Sequence, residues 1–337
     1  MQIQEIQNIF NLFHEKKVAV IGDVMIDSYL WGNANRISPE APVPVVSVTK
    51  RESRMGGAAN VAVNIKSLGA TPLMIATAGD DERGYEFIKL MQSAKINTEG
   101  IMFQKDRKTT VKHRVIASNQ HLLRIDDEIS TPLSPKDEQN FINHCLPILK
   151  KNQPDIIIFE DYDKGNITPN VITEIVRFAQ QHKIPTLVDP KKRNFNAYHN
   201  VTLFKPNYKE MIEGLKIDPI AKNDPQAIFK AANELRDQLN AKYIMVTLSE
   251  YGIFITNGKE YFAMPAQRRE IADVSGAGDT VISVAALALS CGLPMDSIAT
   301  ISNIAGGLVC EKAGVVPIDK EQLLKESILY YSGGCTL

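Results

Sequence analysis

The feature that most constrains the fold of this chain is a regular alternation of short β-branched runs with helical segments. From residue 131 onward, the strand-like run DIIIFEDY is followed by the helical segment PNVITEIVRFAQQHK. VTLFKPN then precedes another helix, and KYIMVTLSEYGIFIT contains two short strands before a largely helical final third. Strands that alternate with helices predict an α/β fold with a doubly wound, mostly parallel sheet flanked by helices.

The N-terminal part of the chain begins with a run that has the character of a buried strand. KVAVIGDVMID is compact and β-branched, and it predicts the first strand of the sheet. The segment 34–50 is rich in Pro and Asn and then alternates, and 101–127 alternates with one polar face. We predict that these two segments form a small β-sheet appendage, inserted in a single domain that spans residues 1–337.

The composition excludes several classes of protein. The net charge is -1 and no long basic run is present, so a nucleic-acid partner has no electrostatic support. The longest apolar run, VISVAALALSCGL, is too short to span a bilayer, and the N-terminus lacks a signal-peptide core. The cysteines form no CxxC pair and predict reduced thiols in a cytoplasmic protein without a membrane partner. They are Cys145, Cys291, Cys310 and Cys335.

A glycine-rich loop leads into a hydrophobic helix in the stretch IADVSGAGDTVISVAALALS, residues 271–290. Gly276 and Gly278 permit close approach of the backbone, and the free N–H groups of a helix beginning near Asp279 favour an anion. A carboxylate beside an anion site disfavours simple binding of the anion, because the two negative charges repel each other. The carboxylate can, however, take a proton from a hydroxyl that attacks a phosphate. We predict phosphoryl transfer, with Asp279 as base and the amides of Gly276, Ala277 and Gly278 as an anion hole. From these residues alone, an N-capping Asp279 after a plain glycine turn remains the alternative.

Several motifs together indicate a family. DVSGAGD resembles the C-terminal signature of the ribokinase-like (PfkB) carbohydrate kinases, and GGAANVAVNIKSLG resembles their N-terminal signature. The two motifs lie about two hundred residues apart, in the order that the family has. The opening GDVMIDSYLWGNANRISPEAPVPVV is similar to the heptose-7-phosphate kinases of that family, and so are the later runs DYDKG, VDPK, KPNYKE and VTLSEYG. The similarity extends over roughly residues 10–320.

This resemblance implies a ribokinase-like fold in which the β-appendage is a lid over the sugar and joins two chains in a homodimer. It implies a Mg²⁺-dependent kinase that uses ATP to phosphorylate D-glycero-D-manno-heptose 7-phosphate at O1, a step toward ADP-heptose for bacterial lipopolysaccharide. Some relatives have a nucleotidyltransferase domain after the kinase. This sequence ends too soon for that domain and contains no His-x-Gly-His type motif, so we expect a stand-alone kinase.

The resemblance also assigns residues to the sugar phosphate. Asp27 and Asn60 match positions that bind sugar hydroxyls, and Gly56 and Gly57 allow close packing beside them. Taken alone, Asp27 could also be a turn-capping residue, and the glycine pair a plain loop before a helix. The other substrate-side residues are Asp161, Lys164 and Lys191, of which Lys191 is the candidate for the phosphate that the substrate already has.

Further cations are alternatives for that phosphate, although neighbouring cations are more often a solvated surface than a site. They are Arg36, Lys112, His113, Arg114, Lys192 and Arg193. The chain departs from the family at two places. Glu160 stands where a serine is expected, and Lys192–Arg193 follow Lys191 where a glycine is usual. Both departures leave the exact sugar open.

For the nucleotide, the resemblance assigns a second group of residues. Asn207 and Glu210 have the family's Asn-x-x-Glu spacing, which implies that they organise Mg²⁺ through water around the phosphates. An ordinary helix start with a glutamate in its first turn is the alternative. The remaining residues assigned to ATP are Thr247, Ser249, Gly252, Asp273 and Asn303.

Three other functions compete with the heptose kinase. The first is a kinase of another sugar, sugar phosphate or nucleoside, because one fold serves many substrates. The second is a dinucleotide-dependent oxidoreductase, which is rejected because GDVMIDSY follows the first strand in place of a Gly-x-Gly-x-x-Gly turn. The third is a non-catalytic sugar-binding regulator, against which the intact Asp279 and its loop argue.

Overall fold

The chain folds around a nine-stranded sheet and a separate four-stranded sheet. The computed structural model describes residues 1–117, 120–267 and 269–333. The strands are β1 (Lys17–Gly22), β2 (Val24–Ile37), β3 (Pro44–Gly57), β4 (Thr71–Gly79), β5 (Ile101–Gln104), β6 (Thr110–Ala117), β7 (Gln120–Asp127), β8 (Ile156–Glu160), β9 (Thr186–Asp189), β10 (Leu203–Phe204), β11 (Tyr243–Thr247), β12 (Ile253–Thr256) and β13 (Tyr261–Met264).

Helices connect the strands and cover the large sheet. The α-helices are α1 (Ile3–Leu12), α2 (Ala58–Ser67), α3 (Glu82–Ser93), α4 (Pro135–Asn152), α5 (Pro169–Gln181), α6 (Tyr208–Leu215), α7 (Pro225–Leu239), α8 (Ala277–Ser290), α9 (Met295–Cys310) and α10 (Lys320–Tyr331). Short 3₁₀-helices lie at Phe13–Glu15, Phe195–Ala197 and Ser249–Tyr251. Within the described residues, none of the helices combines the length and apolarity that a membrane span needs.

The large sheet has the order β13-β12-β11-β10-β9-β8-β1-β4-β5. Its strands pair in parallel from β5 through β11, and β12 and β13 add antiparallel strands at one edge. Along β1, Val18 and Val20 join one apolar cluster, whereas Ala19 and Ile21 join the cluster on the opposite face. Both faces are therefore buried, as parallel sheets require. The predicted doubly wound, mostly parallel α/β fold is confirmed.

The smaller sheet, which we call the lid, has the order β3-β2-β6-β7. The predicted β-appendage is confirmed, but its bounds differ from 34–50 and 101–127. The lid includes β2 from Val24 onward, whereas Ile101–Gln104 forms β5, which pairs in parallel with β4 of the large sheet. Alternation identifies a strand but not its partner. After β3, the helix α2 leads back to the large sheet, where α3 connects β4 to β5 before the lid resumes at β6. Residues 118–119 lie outside the described residues.

The predicted first strand is divided between the two sheets at Asp23. KVAVIG forms β1 of the large sheet, and VMID begins β2 of the lid. The buried carboxylate of Asp23 accepts hydrogen bonds from the backbone N–H groups of Tyr162, Lys164 and Asn166, at 2.9, 3.1 and 3.1 Å. The start of the lid and the loop after β8 are thereby held together at the carboxyl edge of the sheet.

The predicted reduced thiols are confirmed for three cysteines. Cys145, Cys291 and Cys310 are free. Burial raises the pKa of each of these thiols, so they remain protonated at neutral pH. Cys335 lies outside the described residues.

The central position of β8 predicts a stability effect. Ile158 is fully buried and Ile3 is 48% exposed. We expect Ile158→Ala to lower the free energy of unfolding by about 2–5 kcal/mol, because it removes apolar contacts and leaves a cavity. The matched substitution Ile3→Ala is expected to change it by less than about 0.5 kcal/mol. Urea unfolding of both variants checks this, and equal losses would contradict the assigned core.

Candidate active site

The helix α8, which follows the glycine-rich loop, begins at Ala277. This is about one turn before the start that it would have if Asp279 were its N-cap. Its N-cap is Gly276, with φ +80°, and no side chain caps the helix. Asp279 lies within the first turn, so the alternative of an N-capping Asp279 is wrong. A Cβ at Gly276 would lie 2.9 Å from Asn60 Nδ2 and would force that side chain to shift, so both this contact and the positive φ favour glycine. No side chain caps this turn, so its first backbone N–H groups are placed to meet an anion, and that of Ala277 also donates to the carbonyl of Val274 at 3.3 Å.

The carboxylate of Asp279 is buried, with 4% of the residue exposed. Its Oδ2 accepts a hydrogen bond from Asn60 Nδ2 at 2.7 Å, and its Oδ1 accepts one from the hydroxyl of Tyr162 at 2.7 Å. Burial raises the pKa of Asp279 to about 6, while the hydrogen bonds from Asn60 and Tyr162 oppose this rise. The group is therefore ionised at neutral pH, yet it holds a proton more readily than an exposed aspartate.

The predicted sugar residues lie at the junction of the lid and α2. Gly57, with φ +59°, is the N-cap of α2, and Asn60 lies in the first turn of that helix. Asp27 on β2 is buried and forms an ion pair with Arg114 of β6. A Cβ at Gly56 would collide with the Asp27 carboxylate. The glycine pair therefore admits the close approach of β3 to Asp27 and directs Asn60 toward Asp279.

Three carboxylates meet at the carboxyl ends of the strands. Glu160, Asp189 and Asp279 are buried, and one oxygen of each lies within 4.8 Å of the others. Lys205 Nζ lies 2.7 Å from Asp189 Oδ2, and Lys205 is also buried. Burial raises the pKa of Glu160 well above its usual value, and the charges of Asp189 and Asp279 raise it further. We call Glu160, Asp189, Asp279 and Lys205 the charged cluster.

The carboxylate of Asp161, which the resemblance assigns to the substrate, is hydrogen-bonded within the protein. Its carboxylate accepts hydrogen bonds from Asn194 Nδ2 at 2.9 Å and from the hydroxyl of Tyr198 at 2.8 Å. Burial raises the pKa of Asp161 to about 6. These partners belong to the segment around the 3₁₀-helix 195–197 and not to the surroundings of Asp279. Lys164, the other residue of this motif, pairs with Glu128 at 2.8 Å.

Asn207 and Glu210 form a capping box at the start of α6, so both residues have a local role at the helix start that is compatible with a role toward Mg²⁺. Lys191 Nζ lies 2.8 Å from Glu210 Oε1, and Glu210 Oε2 accepts the backbone N–H of Asn207 at 2.8 Å. Burial lowers the pKa of Lys191, but the charges of Asp189 and Glu210 reverse this and raise it overall. The structure thus joins Lys191, predicted for the substrate phosphate, to the pair predicted for Mg²⁺.

The remaining predicted nucleotide residues shape two loops. Ser249 and Gly252 both have positive φ, +56° and +84°, in the turn that follows Thr247 at the end of β11. Asp273 holds the glycine-rich loop, since its Oδ1 accepts the N–H of Ser275 at 2.9 Å and its Oδ2 accepts that of Gly314 at 3.1 Å.

Asn303 on α9 reaches the chain after β13. Its Nδ2 donates to the carbonyl of Pro265 at 2.9 Å. This contact connects α9, which carries the predicted ATP residue Asn303, to the edge of the large sheet.

Sequence reasoning missed residues around Asp279 that the fold brings into contact with it. Tyr162, Asp189 and Lys205 lie in the family-like runs DYDKG, VDPK and KPNYKE, but the resemblance gives these three residues no role. For Glu160, the resemblance indicates only a departure from serine. Their place in the sequence is the signal that could have identified these four residues. All of them lie at or just after the ends of neighbouring parallel strands, where ligands bind in α/β sheets.

The hydrogen bond from Tyr162 predicts how Asp279 titrates. Tyr162→Phe removes a donor that favours the ionised carboxylate, so we expect the pKa of Asp279 to rise from about 6. The expected rise is about one unit, since a hydrogen bond to a charged group contributes about 1.5 kcal/mol. Tyr198→Phe, which removes a donor from Asp161, is the control. A ¹³C NMR titration of the aspartate carboxyls, assigned with Asp279→Asn, measures this, and an unchanged midpoint in Tyr162→Phe contradicts it.

Comparisons with known proteins agree with this architecture. The family model described as pfkB family carbohydrate kinase matches residues 15–321. The Bifunctional protein HldE of Citrifermentans bemidjiense is 36% identical over 330 residues, which are 97% of this chain and 66% of that protein. The protein of the same name from Magnetococcus marinus is 38% identical over 315 residues, 92% of this chain and 64% of that protein. The chain thus spans about two thirds of the length of these relatives.

Solved structures have the same fold. Phosphofructokinase-2 from Escherichia coli in complex with potassium matches with a TM-score of 0.76 and 19% identity, over 94% of this chain and 99% of that one. Arabidopsis thaliana ribokinase complexed with ribose and ATP matches with a TM-score of 0.70 and 16% identity, over 92% and 99%. These likenesses confirm the predicted ribokinase-like fold.

The family resemblance that the two glycine motifs indicated is also confirmed. The matched region includes both motifs, and the fold brings them together where Asn60 contacts Asp279. Members of this family are carbohydrate kinases, so the reaction is transfer of a phosphoryl group to a sugar hydroxyl. The chain belongs to the pfkB family of carbohydrate kinases and is a phosphotransferase with an alcohol group as acceptor.

Proposed function

We propose that the protein is an ATP- and Mg²⁺-dependent kinase that phosphorylates D-glycero-D-manno-heptose 7-phosphate at O1, giving the 1,7-bisphosphate for ADP-heptose and lipopolysaccharide synthesis in the cytoplasm. The observation that carries the chemistry is the buried Asp279, bonded by Asn60 and Tyr162 in the first turn of α8. The order of the heptose-kinase motifs supports the choice of sugar. The whole chain acts as one kinase domain with its lid.

Asp279 is the base of this reaction. As the sugar oxygen forms its bond to the γ-phosphorus of ATP, the hydroxyl proton passes to the Asp279 carboxylate and the bond to the leaving ADP oxygen breaks. The donors Asn60 and Tyr162 keep the carboxylate ionised and hold its orientation before the transfer. The backbone N–H groups of Gly276, Ala277 and Gly278 face the charge that develops on the phosphoryl group.

The substrate lies between the lid and α2 in this proposal. Asp27 and Asn60 bind sugar hydroxyls, and Gly56 and Gly57 keep the approach clear. Arg114, bonded to Asp27, is a cation close to this position. Lys164 and Lys191 remain the proposed substrate-side cations, and Asp161 supports the loop that holds Lys164.

The nucleotide lies on the side of β11, α6 and α9. The residues proposed to contact it are Asn207, Glu210, Thr247, Ser249, Gly252, Asp273 and Asn303. The side-chain oxygens of Asn207 and Glu210 suit Mg²⁺, a hard cation that prefers oxygen ligands, and the two residues would hold the ion through water. When bound, Mg²⁺ would neutralise negative charge on the phosphates of ATP.

Exposed apolar residues on the lid support the proposal of a homodimer. Leu123 and Ile125 on β7 are 55% and 52% exposed, and they lie on the same face of the strand because they are two residues apart. Exposed apolar side chains of this kind mark interaction surfaces. We propose that two lids pack together through this face.

Loss of the base tests the proposed chemistry. Asp279→Asn is expected to reduce kcat about 10²–10⁴-fold with the fold retained, because general-base catalysis contributes about that much. Asp296, an exposed aspartate in the first turn of α9, provides the matched control Asp296→Asn with unchanged kcat. ADP release with ATP, Mg²⁺ and sugar phosphate measures both. Near-normal turnover by Asp279→Asn would refute the mechanism.

A panel of substrates tests the sugar. We expect the heptose 7-phosphate to give the highest kcat/KM among sugars, sugar phosphates and nucleosides. A higher value for another compound selects the alternative kinase. No turnover of any compound by the wild type would favour the sugar-binding regulator.

The lid dimer predicts a change of mass in solution. Leu123→Glu is expected to convert a dimer to a monomer, because a charge cannot be buried unpaired in an apolar interface. The control is Leu329→Glu, at a residue on α10 that is 43% exposed. Light scattering after size exclusion gives the mass, and a monomeric wild type or a dimeric Leu123→Glu variant contradicts the proposal.

A further inference from the structure

Three neighbouring parallel strands end in a row of charges. Glu160 at the end of β8 and Asp189 at the end of β9 are direct register partners. Lys205 follows the last residue of β10, the next strand in the sheet, and its N–H donates to the carbonyl of Val188 at 2.8 Å. Like charges directly opposite each other destabilise a sheet, so Glu160 and Asp189 need a compensating positive charge.

The charged cluster contains too few positive charges. Lys205 neutralises Asp189 across 2.7 Å, but Glu160 and Asp279 add two further carboxylates. Lys191 is the next cation, and it is paired with Glu210. With all three carboxylates ionised, the cluster has an excess of two negative charges, which equals the charge of one divalent cation.

Glu160 has one carboxylate oxygen without a partner. The residue is 1% exposed, and its Oε2 has no hydrogen-bond partner among the described residues. Asp279 differs, because Asn60 and Tyr162 each bond one of its oxygens. An ionised carboxylate buried without a partner costs several kcal/mol, so Glu160 requires either a proton or a bound cation.

We propose that Glu160 and Asp189 directly bind a divalent cation, Mg²⁺ in the cell, beside the glycine-rich loop. Oxygens of the two residues lie within 4.8 Å, and trans ligands of an octahedral Mg²⁺ are about 4.2 Å apart, so a small side-chain adjustment suffices. The hydrogen-bonded Asp279 stays free of the ion and remains the base.

The proposed cation site lies beside the glycine-rich loop. A Cβ at Gly278 would lie 3.6 Å from Asp189 Oδ2 and 3.7 Å from Lys205 Nζ, so the cluster adjoins the glycine-rich loop. Glu160 stands where the family resemblance predicts serine, so this ligand is not among those that the resemblance implies. The inference extends the proposed function, which has only water-mediated contacts to Mg²⁺ from Asn207 and Glu210.

Binding of Mn²⁺ alone to the nucleotide-free protein tests this site. Calorimetry and the electron paramagnetic resonance of free Mn²⁺ give its affinity without any turnover, so failure here is distinguishable from failure of the kinase assay. Glu160→Gln is expected to weaken binding at least tenfold, because even outer-shell partners contribute about 10–100-fold. Glu174→Gln, at a partly exposed residue of α5 that pairs with Arg177, is the matched control with wild-type affinity.

Glutamine also resembles a protonated glutamate, which makes the substitution decisive. If Glu160 carries a proton and not a metal, Glu160→Gln binds Mn²⁺ as the wild type does, and the proposal is overturned. Absence of Mn²⁺ binding by the wild type overturns it as well. Mn²⁺ is also expected to raise the melting temperature of the wild type more than that of Glu160→Gln, because only ligand bound to the native state stabilises it.

Discussion

The buried carboxylate of Asp23 is the interaction on which the site depends. It sits where the chain passes from the large sheet to the lid and accepts three backbone N–H groups from the loop after β8. Burial raises the pKa of Asp23, and these hydrogen bonds oppose that rise. The loop is thereby positioned so that the Tyr162 hydroxyl reaches Asp279, which links the end of β8 to the first turn of α8.

Burial of charge is the second organising constraint. The carboxyl ends of β8, β9 and β10 bring Glu160, Asp189 and Lys205 together, and α8 adds Asp279. Each group that has partners is held in one orientation, as Asp279 is by Asn60 and Tyr162. This preorganisation suits a phosphotransferase, since stabilising the charge of phosphoryl transfer depends on donors and charges already in place.

Much of the fold could be predicted from local pattern. The alternation of strands and helices identified the doubly wound sheet, and the two glycine motifs identified the loop at Gly276 and the start of α2 at Gly57. The lid was predicted with the wrong bounds, because a two-residue period is the same in Ile101–Gln104 of the large sheet and in β6 of the lid. Strand partners are a long-range property that this period does not contain.

The sequence by itself determined the layered α/β architecture, the glycine-rich loop and Asp279 as a candidate base, since these follow from residue type and spacing. Only the tertiary structure decided that Tyr162 bonds Asp279, that Asp161 turns toward Asn194 and Tyr198, and that Lys191 pairs with Glu210. The reason is physical. Side chains far apart in the chain meet when parallel strand ends align, and whether a buried charge is paired depends on those neighbours.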